Sequence, residues 1–504
     1  MRKKKYLIFL YAIVFFVFII SLLIMVPTTV TSKRKVYNYT YGQLRPLLSL
    51  RIPNKYKSLW NDILSAHKKN YQKEKIIKIL KDRHKINGDQ LGSILKKMGL
   101  SSKPKEYVKA LILGQNPILE IVLKGTGVPP KGTPQYDAAI YGVIPYISRV
   151  MEKYTDKIRF KVAYYPGGIL GDEPDFIRKI KHGEIQWAGG TAIMGQMVAP
   201  EISVLDLPFL FDFEPKIYWD DLKYCGVDWM LGKASHSISK FFHREGYILV
   251  GLLDGGGWFQ IASKDFPVKT LKDINKLSYM MLAGSRIAPE IKAATGYRKI
   301  IVGQIWDTPA NSATGIIDSV MCGWFWHVIL QLTPYYKYVT DYPIDGYSAA
   351  VAIADKRMFN SLIEVVSLFG PMLKLSKKDA LSIAKRILLT MNKKIKENMR
   401  KPLRRCDAKA RYSLLNSGIY KLVHFHKREL KKLKEKILPL YEELADKKGT
   451  YPKWFLDDML RYREEYRKYK HSGRLTNKWW KKGIYPDGFD EWEWIKKIDK
   501  NYFK

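Results

Sequence analysis

Apolar and polar residues alternate along the middle of this chain with periods that separate strands from helices. Ile118, Leu119, Ile121, Val122 and Leu123 make a strand-like run that ends at Gly125 and Gly127. Ile140, Val143, Ile144, Ile147, Val150 and Met151 then recur at helical spacing and predict a buried stripe. Pro145 within that stretch predicts a kink, because its ring removes a backbone donor and crowds the preceding turn. Ile158, Phe160 and Val162 alternate with Arg159 and Lys161, which predicts a strand with one buried face.

The order repeats. A helix over 172–181, carrying Phe176, Ile177 and Ile180, is closed by Gly183, and a strand follows from Ile185 to Ala188. Thr270 and Asp273 form a capping-box pattern ahead of a short helix, and a strand from Leu277 to Leu282 leads to a helix closed by Gly296. Lys299 to Val302 predicts another strand, then comes a helical stretch closed by Gly315, and Ile316 to Met321 is strand again. Repeated βα units of this length predict an α/β protein with two lobes, each a parallel or mixed sheet covered by helices. A small ligand then belongs at the carboxyl ends of the strands, in a cleft between lobes. The loops at Tyr164 to Gly171, Gly189 to Thr191, Asp254 to Phe259, Leu282 to Arg286 and Cys322 to His327 are the candidate linings.

The ends of the chain have a different character. An uncharged apolar run from Tyr6 to Val26 follows Arg2, Lys3, Lys4 and Lys5. As a helix it is about 31 Å long, enough to cross a bilayer core of about 30 Å, with the basic residues on the cytoplasmic side. We read 1–32 as a signal anchor that places the remainder outside the cytoplasm; a cleaved signal peptide is the alternative, with Val30 and Ser32 as a weak cleavage site. Residues 33–112 read as a basic helical spacer, either a solvated stalk or a patch on anionic headgroups. Residues 469–504, with Trp479, Trp480, Trp492 and Trp494 among charges, read as a C-terminal extension.

Charge follows the same division. The chain carries 87 Lys and Arg against 48 Asp and Glu, a net +39 that by itself points to nucleic acid or an anionic surface. Residues 1–110 hold +19 of it and residues 371–504 hold +20, so the body between them is neutral. Nucleic acid is therefore an unfavoured partner for the body. Three scattered cysteines, Cys225, Cys322 and Cys406, predict neither a disulfide framework nor a metal site. Gly255 to Gly257 lacks the Lys-Ser or Lys-Thr of a phosphate loop, and His327 has no partner at ligand spacing. No catalytic motif is present, and no cofactor is expected.

The stretch from Val162 to Glu173 (VAYYPGGILGDE), then Gly183 to Gln186 and Pro200 to Phe211 (PEISVLDLPFLF), resembles the DctP-type substrate-binding proteins of TRAP transporters. The likeness continues through Lys269 to Leu277 (KTLKDINKL) and Thr314 to Asp318, and covers about 350 residues. It implies a periplasmic-binding-protein-like, two-lobed (Venus flytrap) solute-binding domain over 113–468. Lobe 1 would take 113–248 with the C-terminal helices, and lobe 2 would take 249–345. It also implies a periplasmic receptor, held at the inner membrane by its N-terminal helix, that hands a small organic molecule to the TRAP permease subunits. Family members carry an arginine that pairs with the ligand carboxylate; in this sequence that position falls on Met280, and Arg286 is the nearest arginine. The expected site residues are Tyr164, Pro166, Gly167 and Thr191 from lobe 1, and Trp258, Phe259, Tyr279, Met280, Arg286, Trp324 and Trp326 from lobe 2, with no metal. Without the arginine the ligand should be apolar or aromatic and not a dicarboxylate. A receptor of the same fold serving signalling is the alternative, and a binder of envelope polymer or nucleic acid through the basic flanks is a lesser one.

Overall fold

A computed structural model describes residues 34–503, apart from 45, 46, 48, 49, 51, 101 and 476–481. The expected anchor, Tyr6 to Val26, lies outside the described residues, and among these no helix is long and apolar enough to cross a membrane.

Two six-stranded mixed sheets form the frame, as the repeated βα pattern predicts. The first contains β1 (Val36–Thr40), β2 (Ile118–Gly127), β3 (Ile158–Pro166), β4 (Trp187–Thr191), β5 (Tyr247–Trp258) and β11 (Tyr347–Asp355). Their order is β1-β2-β4-β11-β5, with β3 on the other side of β2. The second contains β6 (Gln260–Ser263), β7 (Ser278–Leu282), β8 (Lys299–Gly303), β9 (Ser319–Cys322), β10 (Tyr338–Thr340) and β12 (Lys421–Val423), in the order β12-β10-β6-β9-β7-β8. The chain crosses from one sheet to the other between β5 and β6, returns between β10 and β11, and crosses again through the two long helices to reach β12. Lobe 2 thus begins near residue 259 and not at 249, because β5 belongs entirely to the first sheet.

The central strands of the first sheet are buried on both faces. On β11, Val351 and Ile353 enter one core while Ala350, Ala352 and Ala354 enter the other. Such a strand shows no apolar–polar alternation, which is why β5 and β11 give no period-two signal. The helices Glu173–His182 and Gly226–Arg244 cover one face. The helix Lys356–Leu373 and the first half of the 40-residue helix Lys377–Asn416 cover the other. Leu403, Ala408 and Leu414 carry the long helix on into the first core, so one element braces both lobes. At Pro145 the expected kink appears as a π-helical stretch, Ala138–Val143, before the helix Ile144–Arg149.

Residues 34–112 correct the expectation of a separate spacer. β1 pairs in parallel with β2 from Val36↔Ile118 to Thr40↔Val122. The helix Lys57–Lys68 sets Trp60 edge-on against Phe369 at 5.6 Å, and Tyr41 and Ser361 share a hydrogen bond of 2.7 Å. The apolar faces are Leu59, Ile63, Ile76, Leu80, Leu91 and Leu95, all buried, so the lysines between them point outward as the helical period requires. The C-terminal extension is also built in: Trp492 donates Nε1 to Asn392 at 2.7 Å, and Phe503 stacks on Phe359 at 5.3 Å.

Candidate functional site

β4, β7 and β9 run toward the cleft, and their ends with the β5–β6 crossing enclose a cavity of about 100 Å³. Phe259, Tyr279, Met280 and Met281 line it from the crossing and β7. Thr191 and Trp326 lie on its other side, where they also line a second hollow of about 70 Å³ reaching into lobe 1 past Tyr164 and Trp187. The two hollows thus adjoin across Thr191 and Trp326.

Each wall is fixed by local chemistry. Thr191 caps the helix Ala192–Val198, with Oγ1 accepting from Ile193 N at 3.2 Å and donating to Glu173 Oε2 at 2.9 Å. Glu173 also accepts from Thr191 N at 2.5 Å; burial pushes its carboxyl up to about 7. Trp326, on the helix Trp324–Ile329, donates Nε1 to the Gly255 carbonyl at 3.0 Å. Its edge lies against Gly256, which sits at φ +130°, where a Cβ would stand 2.2 Å from Trp326 Nε1. The glycine run 255–257 is therefore a close-approach turn. Met280 Sδ accepts from Asn311 Nδ2 at 3.3 Å, which holds the thioether in the wall.

Three charged residues line the main cavity, and the sequence reading names none of them. Lys292, 2% exposed, is ion-paired with Asp345, and its Nζ lies 4.8 Å from the Tyr279 ring centre. Burial draws the Lys292 ammonium below its usual range and raises the Asp345 carboxyl, while the pairing opposes both. Asp206, which accepts from Gln196 Nε2 at 2.5 Å, is pushed by burial up to about 7. One signal for Lys292 was legible: on the helix Ala288–Thr295 it shares a face with Ile291 and Thr295, so a lysine stands on the buried stripe. Asp206 and Asp345 come from loops far apart in sequence and carry no such mark.

The expected site residues divide. Thr191, Phe259, Tyr279, Met280 and Trp326 line the main cavity, and Tyr164, stacked on Trp187 at 5.2 Å, lines the second. Pro166 and Gly167 close the β2–β3 end at the rim, Pro166 opposite Gly127 and Gly167 donating to its carbonyl at 3.1 Å, and line neither hollow. Trp258 is a core residue instead, packed at 5.2 Å against both Phe213 and Tyr347. Trp324 is core too, edge-on to Tyr420 at 6.1 Å. Arg286 is exposed and reaches the interior only through its backbone, which donates to Gln196 Oε1 at 2.9 Å. His327 is buried against the Tyr420 hydroxyl at 3.0 Å, with its pKa lowered to about 3, so it is a neutral structural group.

The family described as DctP, bacterial extracellular solute-binding protein, family 7, matches residues 129–293, a span that includes Thr191, Asp206, Met280 and Lys292. No curated protein matches the chain. Solved structures share the fold over about two thirds of it. One is the sugar-acid-binding protein DctPAm of Advenella mimigardefordensis in complex with galactonate (19% identity, 69% of this chain and 99% of that one, TM-score 0.54). Another is a TRAP periplasmic solute-binding protein from Shewanella oneidensis with bound succinate (15% identity, 68% and 99%, TM-score 0.51). A third is the periplasmic ectoine-binding protein of the TeaABC TRAP transporter from Halomonas elongata (14% identity, 68% and 99%, TM-score 0.54). The resemblance read from the sequence is met by the family model over residues 129–293, and the solved structures share the two-lobed fold.

Proposed function

We propose, from the premise that the chain is a DctP-type solute-binding protein, that it captures a small organic solute between its lobes outside the cytoplasm and delivers it to the membrane permease of a TRAP-type transporter. The observation that carries this reading is the walled cavity where strand ends from two separate sheets meet, a geometry suited to lobes that close on a ligand. No bond need be made or broken. The N-terminal apolar run is taken to keep the receptor at the outer face of the inner membrane.

The solute differs from the anions named for the galactonate and succinate complexes. At the position of the family arginine stands Met280, and Lys292 is already engaged by Asp345. A carboxylate entering this space meets no uncommitted cation among the described lining residues, and burying it costs several kcal/mol. An apolar or aromatic body against Phe259, Tyr279, Met280 and Trp326 suits the walls better. Mass spectrometry of the compound released when the purified chain is denatured tests this. A stoichiometric organic solute, lost from the Trp326→Ala variant, is expected; release of a dicarboxylate refutes the apolar reading, and release of no organic compound from protein made in its native cells refutes capture.

A further inference from the structure

The charges lining the cavity do not cancel. Lys292 is matched by Asp345 and lies along the Tyr279 face. Asp206, at the end of the turn Pro200–Asp206, is a second carboxylate in the same space. Among the described residues it receives one side-chain hydrogen bond, from Gln196 Nε2 at 2.5 Å, whereas an ionised carboxylate offers about four acceptor sites. Tyr279, Met281 and Ile291 line the same space. An ionised Asp206 leaves the enclosure with one unmatched negative charge.

We propose that the cavity selects a solute bearing a protonated amine on an apolar or aromatic body, with the ammonium seated against Asp206. This rests on the reading of the cleft as a solute site and names what that site discriminates. The cation restores neutrality inside an enclosure of low polarity, where an unmatched charge is most costly. The aromatic faces of Tyr279, Phe259 and Trp326 favour the same sign of charge. An anionic solute instead adds a second unmatched negative charge beside Asp206 and Asp345. The apolar body extends past Thr191 and Trp326 toward the hollow beneath Tyr164 and Trp187.

The groups facing Asp206 are Gln196, Lys292, Asp345 and the Tyr279 hydroxyl: burial and Asp345 raise its carboxyl, Gln196 and Lys292 lower it, and the balance pushes it up to about 7. The carboxylate that seats the ammonium is therefore present above that pH and lost below it. Calorimetry of the full chain with 2-phenylethylamine, 2-phenylethanol and phenylacetate, which share one body and differ in head group, tests the proposal. At pH 8 the amine should bind at least tenfold more tightly than the alcohol, with phenylacetate weakest. Between pH 8 and pH 6 the amine's affinity should fall about tenfold, in step with the ionised fraction of Asp206, and the alcohol's should not. Asp206→Asn should remove the preference for amine while retaining alcohol binding, which also shows the variant folded; if it does not fold, the pH series on the unaltered chain decides. Phenylacetate binding as tightly as the amine, or a preference that does not change with pH, overturns the proposal and leaves solute capture standing. Absence of binding by all three probes overturns it as well, and capture is then judged separately by the mass of the released compound.

Discussion

Replacing Arg404 with methionine removes the cation through which the long helix grips lobe 1. The guanidinium donates Nη1 and Nη2 to Asp228 at 2.9 and 2.7 Å, Nε to Asp254 at 3.1 Å, and Nη1 to the Lys223 carbonyl at 3.0 Å. Asp228 and Asp254 are 2% and 3% exposed, so neither carboxylate can fall back on water. Burial alone would raise the Asp228 carboxyl; Arg400 and Arg404 together hold it below its usual range. In the variant Asp228 keeps Arg400 at 2.9 Å, but Asp254 keeps neutral neighbours, the Tyr218 hydroxyl and the Gly256 amide. Removing one partner of a buried pair costs about 3–5 kcal/mol. With an unfolding entropy of about 2.1 cal/mol/K per residue, a chain of 504 residues loses about 1 °C of Tm per kcal/mol, so scanning calorimetry should show a fall of about 3–5 °C. If the lobes melt separately the fall is larger, because fewer residues share the loss. Adding Asp254→Asn should recover a large part of it, since the uncompensated charge is then gone. A fall of less than about 1 °C, or no coupling between the two substitutions, would show that this network does not fasten the long helix to lobe 1.

Three further outcomes follow from other parts of the fold. Trp60→Ala, which empties the contact with Phe369, should cost about 3–5 kcal/mol in urea unfolding and open residues 34–112 to limited proteolysis; an unchanged midpoint would return that segment to the status of a free stalk. Gly256→Ala should cost about 1–3 kcal/mol and shift the tryptophan emission, because the new methyl at φ +130° displaces the Trp326 ring; unchanged emission would refute the close approach. Glu173 has its folded pKa raised to about 7 by burial, so the folded chain binds that proton more tightly than the unfolded one, and this contribution to stability is present at pH 4 and lost as pH rises through 7. Glu173→Gln should flatten the decline of Tm between pH 5 and pH 7.5, and an unaltered slope would mean that Glu173 is not the group responsible.

How far the fold could be read from the sequence depends on how each element meets its surroundings. β3 packs one face inward, with Ile158 and Phe160 buried and Arg159 and Lys161 exposed, so a period of two marks it plainly. The helices Glu173–His182 and Ala288–Thr295 end on Gly183 and Gly296 in the left-handed conformation, and both stops were legible. β11 reads YSAAVAIAD and is buried along its whole length, so periodicity had nothing to report. β1 holds five residues and earns its place only by pairing with Ile118 to Val122, 82 positions away, which no local pattern encodes.

The site was legible in its walls and illegible in its charges, for the same reason. Aromatic and methionine residues on β7 and at the crossings mark a cleft by type and position alone, and most of those named do line it. The two that failed, Trp258 and Trp324, are separated from Phe259 and Trp326 by one and two residues, a distance within which a strand or a helix turn reverses the direction of a side chain. A balanced charge count over residues 111–370 suggested a cleft without charge, but a sum over 260 residues cannot say which charges meet. Asp206, Lys292 and Asp345 meet only after β7, its following helix and the return to β11 are folded. On the proposed reading, the chemistry of the cleft turns less on Met280, at the position where the resemblance implies an arginine, than on the carboxylate of Asp206 left over once Lys292 has paired with Asp345.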